Sequence, residues 1–387
     1  MDKLTTVTIS GLDASRIALV TTYALAVPLR RPVADSTYFR ATWNVPVVEI
    51  TTDDGVIGTG ISGGWAGHDL ICQTIDAYFA PLLIGEDPAD IRAIWERLYW
   101  SDLHWVGRAG VVHMAQSMID QALWDIAAQR AGLPLWRLLG GHHRELQSYN
   151  TDGGWLNWTI GELTEDMLEL VDQGWRRVKM KVGLPDWRED VKRIRAVSEA
   201  LPADVVLQCD VNQRWDFATA MTMLPYLEEV GMAWLEEPLH PDDVEAHRRL
   251  QRETRIPIAL GETVYSHQAF SAFIRADAVR IVQVDVTRVA GITEWLLVAA
   301  EANAANLWVV PHAGDMMVVA RHLVAANFAE TPAMIEWIPW TLEAFVEPAE
   351  VERGVVRLPE SPGASTRIRP DAREAWSIPG IGSAFKR

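Results

Sequence analysis

The chain has 387 residues, 49% hydrophobic and 22% charged, with 35 basic against 52 acidic side chains and a formal net charge of −17. That is more apolar material than one ordinary domain holds, and the acidic balance argues against nucleic acid or anionic membranes as partners. The two cysteines, Cys72 and Cys209, lie in apolar stretches and read as reduced thiols; no apolar run reaches ~18 residues and Met1–Thr6 starts no leader pattern, so a cytoplasmic protein is expected.

In chain order, residues 3–28 and 44–60 read as strands, the second interrupted by the turn signal Asp53-Asp54-Gly55. Leu29–Trp43 reads as a long loop rich in arginine and aromatics, and Ser62–His68 as a second loop. Loops that long inside a compact domain are often functional. The period then turns helical over Leu70–Phe79, Asp87–Trp100 and residues 109–132, where Gly132-Leu133-Pro134 ends it. Residues 1–130 are therefore expected to form an α+β domain.

From residue 131 the pattern changes to a repeated unit that runs to about 344, with its first strand at Leu146–Asn150. In Val178-Lys179-Met180-Lys181-Val182 the two lysines share one face of a short strand and the apolar residues share the other. Further apolar runs end on Asp210, Glu236, Glu262, Asp285, His312 and Glu336. From Lys181 onward these positions are 29, 26, 26, 23, 27 and 24 residues apart. A strand, a loop and a helix consume about that many residues. In a parallel βα barrel, the C-terminal ends of all such strands converge on one rim. One charged residue ending an apolar run is commonplace, but six in register point to a site. Residues 345–387, rich in Pro, Gly and Arg, are expected to pack back on the first domain.

The chemistry follows from the residue types. Two neighbouring ammonium groups inside a barrel require anions to meet them. Asp210, Glu236 and Glu262, from three consecutive strand ends, make an all-oxygen trio suited to a hard cation, most naturally Mg²⁺. Asn212 and Glu237 lie close enough in sequence to hydrogen-bond these ligands. Asp285 would fix the tautomer of His312 and stabilise its protonated form. Lys181 and His312, from strands on opposite sides of the ring, would flank a substrate held at the metal. This is the layout for abstracting a proton α to a carboxylate, with Lys179 facing that carboxylate. Lys181 must be neutral to act as the base.

Lys179-Met180-Lys181, Asp210-Val211-Asn212-Gln213, Trp234-Leu235-Glu236-Glu237-Pro238, Gly261-Glu262-Thr263, Asp285 and Pro311-His312 together resemble the signature of the enolase superfamily, mandelate racemase subgroup. The resemblance implies a modified TIM-type (β/α)7β barrel with an N-terminal α+β capping domain that the C-terminal tail completes. It implies Mg²⁺ on Asp210, Glu236 and Glu262, acid/base roles for Lys181 and the His312–Asp285 pair, and carboxylate binding by Lys179 and Glu336. The lysine that other branches carry at the sixth strand is replaced by Asp285-Val286-Thr287-Arg288, and Ser361-Pro362-Gly363-Ala364-Ser365 stands where Pro-Gly-x-Gly is usual. Tyr149–Trp155 and Val178–Gly183 are most similar to galactarate/talarate-type dehydratases.

The expected function is therefore Mg²⁺-dependent dehydration of a sugar acid, aldarate or aldonate, to a 2-keto-3-deoxy acid. The alternatives are a racemase or epimerase of a 2-hydroxy acid, which needs the same two bases, and a non-catalytic barrel. The partner expected is a small carboxylate, and the family's habit implies a homo-oligomer. If the substrate carries a second carboxylate, Arg40, close to Trp43, is the expected bidentate partner, with Trp65 and His68 closing the wall; Trp43 and Asn212 are expected to bind substrate with them.

Overall fold

A computed structural model describes residues 15–63, 66–312, 317–328 and 333–386. Three antiparallel strands come first among the described residues: β1 (Ile17–Ala34), β2 (Phe39–Thr52) and β3 (Ile57–Ile61). A helix over Val111–Ala131 packs on β3 at very short range. A Cβ on Gly60 would lie 1.7 Å from the Met118 carbonyl oxygen, and one on Gly58 2.1 Å from that of Ala122, so only glycine admits this approach. Gly132, at φ 65°, ends the helix in the left-handed conformation.

The Leu29–Trp43 segment departs from the loop that its composition suggests. β1 runs on to Ala34 and β2 begins at Phe39, so the two strands form one long hairpin closed by residues 35–38. Its β-branched and aromatic residues pair across the strands, and a register shift between Pro28 and Val33 absorbs Pro32, which has no N–H for the ladder. The turn is tied by Asp35 Oδ1, which accepts from the Thr37 N–H (2.6 Å), the Thr37 hydroxyl (2.7 Å) and the Tyr38 N–H (3.0 Å).

Eight parallel strands follow: β4 (Glu145–Asn150), β5 (Arg177–Lys181), β6 (Val206–Asp210), β7 (Leu235–Glu236), β8 (Ile258–Leu260), β9 (Ile281–Val282), β10 (Trp308–Val309) and β11 (Met334–Trp337). They pair in sequence order from β4 to β10, and β11 returns to pair with β4, Glu336 standing beside Tyr149. The connecting helices between β4 and β9 begin on side-chain caps, among them the Thr159–Glu162 capping box and Asp216 on the Thr219 N–H. Apolar residues of β5, Val178 and Met180, are buried towards the helix layer.

Downstream, β12 (Val351–Glu352) and β13 (Val355–Arg357) form a hairpin on β4, while β14 (Ala384–Lys386) joins β1. The tail is also stitched to the first sheet by Thr366 Oγ1 donating to the Thr59 carbonyl at 2.6 Å. Among the described residues, no helix is long and apolar enough to cross a membrane.

The tip of the β1–β2 hairpin lies over the C-terminal ends of β4 to β6. Arg31 ion-pairs with Asp166 (2.5 Å) and stands 4.0 Å over the Trp158 ring. Asn157 accepts from the Ala34 N–H (3.0 Å), and the Ser36 hydroxyl donates to the Val211 carbonyl (2.8 Å).

Candidate active site

Strand register builds the site. Lys181 pairs with Asp210 and Asp210 with Glu236, so three inward side chains of β5, β6 and β7 share one layer. Lys179, two residues earlier on the same face, lies one layer deeper. Glu262 follows β8 through Gly261 (φ 149°), where a Cβ would lie 2.6 Å from the Gln283 carbonyl. Asn212 (φ 48°), Gln213 (φ 67°) and Glu237 (φ 40°) hold left-handed conformations just past the acid-bearing strand ends. Such strain in non-glycine residues concentrates at functional rims.

Asp210, Glu236 and Glu262 are buried and present ligand atoms within 4.8 Å of one another. Lys181 Nζ is 2.5 Å from Asp210 Oδ2, and Lys179 Nζ is 2.5 Å from Glu236 Oε1 and 2.9 Å from Glu336 Oε1. Burial, with Asp210 and Glu336 close by, pushes the Glu236 carboxyl up to about 7 despite Lys179. Burial also raises Glu262, with Asp210 adding to it, whereas the two lysines overcome burial and hold Asp210 below its usual range. Even with the two ammonium groups beside them, three buried carboxyl groups this close favour a further cation that keeps all of them ionised at neutral pH. The all-oxygen donor set suits Mg²⁺.

Opposite, His312 Nδ1 lies 2.8 Å from Asp285 Oδ2, while Asp285 Oδ1 accepts from the Thr287 N–H and hydroxyl, both at 2.7 Å. Nε2 of His312 faces Glu262 at 3.8 Å and Glu336 at 4.0 Å. Burial works against charge on this imidazole, but Glu262, Asp285 and Glu336 raise it to about 10. Burial likewise opposes charge on Asp285, yet Arg288 and His312 hold it ionised. Burial disfavours the Lys181 ammonium too, but Asp210 outweighs that and raises it.

Of the residues singled out in the sequence, Lys179, Lys181, Asp210, Asn212, Glu262, His312, Glu336 and Trp43 line one cavity, with Glu236 against Lys179 and Asp285 behind His312. Asn212 reaches Asp210 through its backbone N–H (2.9 Å), and Glu237 bonds Gln213 rather than a trio member. Arg40 and His68 are not brought to the cavity. Arg40 donates to the Phe39 carbonyl and stands 5.5 Å over the Tyr38 ring, and His68 Nδ1 meets Asn44 Nδ2 at 3.1 Å. The hairpin turn explains this, since it turns Tyr38 inward in Arg40's place. Trp65 lies outside the described residues.

Tyr38, Thr151, Trp155, Arg288, Ile338 and Trp340 line the cavity without having been singled out as site residues. The signals were faint: Trp155 closes the run after β4, Arg288 stands in the segment that replaces a sixth-strand lysine, and Ile338 and Trp340 follow Glu336.

Comparisons with known proteins agree with this geometry. Residues 17–140 match the family Mandelate racemase / muconate lactonizing enzyme, N-terminal domain, and residues 162–372 match Enolase C-terminal domain-like. The chain is 34% identical over 357 residues to the L-talarate/galactarate dehydratase of Salmonella typhimurium, covering 91% of this chain and 88% of that protein. It is 32% identical over 342 residues to the arabinonate dehydratase of Saccharolobus solfataricus, covering 86% and 90%. The structure of the Salmonella enzyme liganded with Mg and L-lyxarohydroxamate superposes with a TM-score of 0.91 at 33% identity, covering 100% of this chain and 99% of that one. L-Talarate dehydratase from a Polaromonas species, complexed with Mg and L-glucarate, gives a TM-score of 0.85 at 33% identity, covering 96% and 99%.

Proposed function

The chain belongs to the mandelate racemase / muconate lactonizing enzyme family of the enolase superfamily and is a hydro-lyase with Mg²⁺ as cofactor; from that premise we propose that it dehydrates a sugar acid. The α C–H bond breaks first, leaving an enediolate. The β C–O bond then breaks, water departs with a proton from the enzyme, and the enol relaxes to a 2-keto-3-deoxy acid. The observation that carries this reading is the convergence of the two-lysine strand, the acid trio and the Asp285–His312 pair on one rim.

Asp210, Glu236 and Glu262 would hold Mg²⁺. Bound there, the ion would supply positive charge to offset that of the enediolate; Asp210 is otherwise paired with the Lys181 ammonium at 2.5 Å. Lys179 donates to the substrate carboxylate, oriented by Glu336, which accepts from it at 2.9 Å. Lys181, once neutral, takes the α-proton. His312, held protonated and oriented by Asp285, delivers the proton to the departing hydroxyl. Asn212, whose Oδ1 is buried with no hydrogen-bond partner among the described residues, is placed to receive a substrate hydroxyl.

The same reading divides the chain into a capping domain (1–130), a catalytic barrel (131–344) and a tail (345–387), working in the cytoplasm as a homo-oligomer whose stoichiometry sedimentation would measure. Screening acid sugars with Mg²⁺ for keto-acid product tests the chemistry. Deuterium uptake from D₂O without keto product would instead mean epimerisation, and no reaction with any acid would sink the proposal.

A further inference from the structure

We propose that the substrate is a monocarboxylate: a sugar acid of the aldonate type, whose end distal to the reacting carboxylate is uncharged. This deepens the dehydratase reading and rests on it. The reacting carboxylate belongs beside Lys179, which fixes one end of the molecule and leaves two ways for the other to extend.

One way leads under the hairpin tip. It is walled by Tyr38, Trp43, Trp155, Ile338 and Trp340, with Thr151 as the small polar member. Trp340 ties this wall together, its ring centroid 4.7 Å from that of Trp43 and 5.3 Å from that of Trp155. The other way enters an adjoining chamber of about 350 Å³, which shares Asn212, Glu262 and Arg288 with the catalytic cavity and adds the acids Asp35 and Glu237. Among the described residues, neither way offers a cation beyond those of the catalytic centre. Arg288, common to both, is buried, donates to Thr287 Oγ1 at 2.9 Å and faces the carboxylates of Asp285 and Glu262.

The hairpin's arginines line neither way. Arg30 acts on the Asp152 carboxylate, Arg31 is held by Asp166 and Trp158, and Arg40 stacks on Tyr38, which stands between it and the cavity. A second carboxylate would therefore enter an aromatic wall or an acidic chamber whose one lining cation among the described residues, Arg288, already faces Asp285 and Glu262, and desolvating an unpaired charge is heavily penalised. A hydroxymethyl or methyl terminus meets no such penalty and packs its C–H groups on the indole faces.

The test uses aldonate and aldarate pairs of matched configuration, galactonate and galactarate among them. Two quantities are read: kcat/KM with Mg²⁺, and calorimetric affinity for the Lys181→Ala variant, which binds without turning over. The aldonate should lead by about tenfold or more in both, the scale of one unmet buried charge. Tyr38→Arg, at the partly buried tip of the hairpin, should move that ratio towards the aldarate. An aldarate preferred or equal in the unsubstituted enzyme overturns the inference while leaving the dehydratase reading in place. Keto product from no acid, with the aldonate still bound more tightly, overturns the dehydratase reading and supports the monoacid site. Binding of neither acid overturns both.

Discussion

Replacing Asp285 with asparagine alters the contact that sets the state of His312 while sparing the local backbone. The incoming amide oxygen can still accept from the Thr287 N–H and hydroxyl, which Asp285 Oδ1 now does at 2.7 Å. What is lost is the carboxylate oxygen 2.8 Å from His312 Nδ1; an amide N–H turned to that position suits only an unprotonated Nδ1. A hydrogen bond to a charged group is worth about 1.5–3 kcal/mol, and about 1.36 kcal/mol is a factor of ten, so kcat should fall roughly 10- to 150-fold. The pH profile carries a second signature. Burial opposes charge on His312, but Glu262, Asp285 and Glu336 raise it to about 10. The reaction needs the protonated imidazole, so activity is lost as pH rises through the His312 value, which Asp285 and Glu336 still raise when Glu262 is taken up by Mg²⁺. Without Asp285 the alkaline limb should move to lower pH. Keto-acid formation at saturating substrate between pH 6 and 10 measures both, with calorimetric unfolding as the control for fold. A variant within about threefold of the parent, with its alkaline limb unmoved, would refute the acid role derived for His312.

Glu236→Gln should abolish turnover and weaken Mg²⁺ by more than the about 10- to 100-fold that losing even an outer hydrogen-bond partner costs a metal site; unaltered calorimetric affinity would remove Glu236 from the ligand set. Arg31→Ala removes a part-exposed ion pair and a cation–π contact at the hairpin tip. At about 1 kcal/mol, it should raise KM roughly fivefold, and an unchanged KM would mean the tip needs no such latch. Asp120, buried, accepts from the Thr293 N–H (2.9 Å) and hydroxyl (2.6 Å) and is pushed up to about 7 by burial. Its folded value lies above the unfolded ~3.9, so its contribution is complete below pH ~4 and lost as pH rises through about 7. Denaturant unfolding at pH 5 and pH 8 should show Asp120→Asn lacking that part of the slope, and parallel profiles for the two proteins would count against it.

The barrel and the catalytic centre were legible in the sequence because their geometry is local and periodic. A strand, loop and helix of near-constant length place a polar residue on the same rim at each repeat, so Lys181, Asp210, Glu236, Glu262, Asp285, His312 and Glu336 converge whatever the intervening helices contain. Alternation along β5 likewise separates Lys179 and Lys181 from Val178 and Met180 without reference to any distant residue. Apart from Trp43, the substrate wall was not legible, because it depends on ring closure and on strand register. Trp155 follows the first barrel strand and Trp340 the last, and they meet only because β11 returns to pair with β4. Tyr38 took the place expected of Arg40 because the Asp35 turn and the register shift between Pro28 and Val33 decide which hairpin side chain faces inward. Composition marked Leu29–Trp43 as important for its arginines, but a side chain's charge does not determine where its backbone aims it. That direction is a property of pairing between β1 and β2 and of the tip's docking on Asn157 and Asp166, contacts over 100 residues apart in the chain that exist only once the barrel has closed.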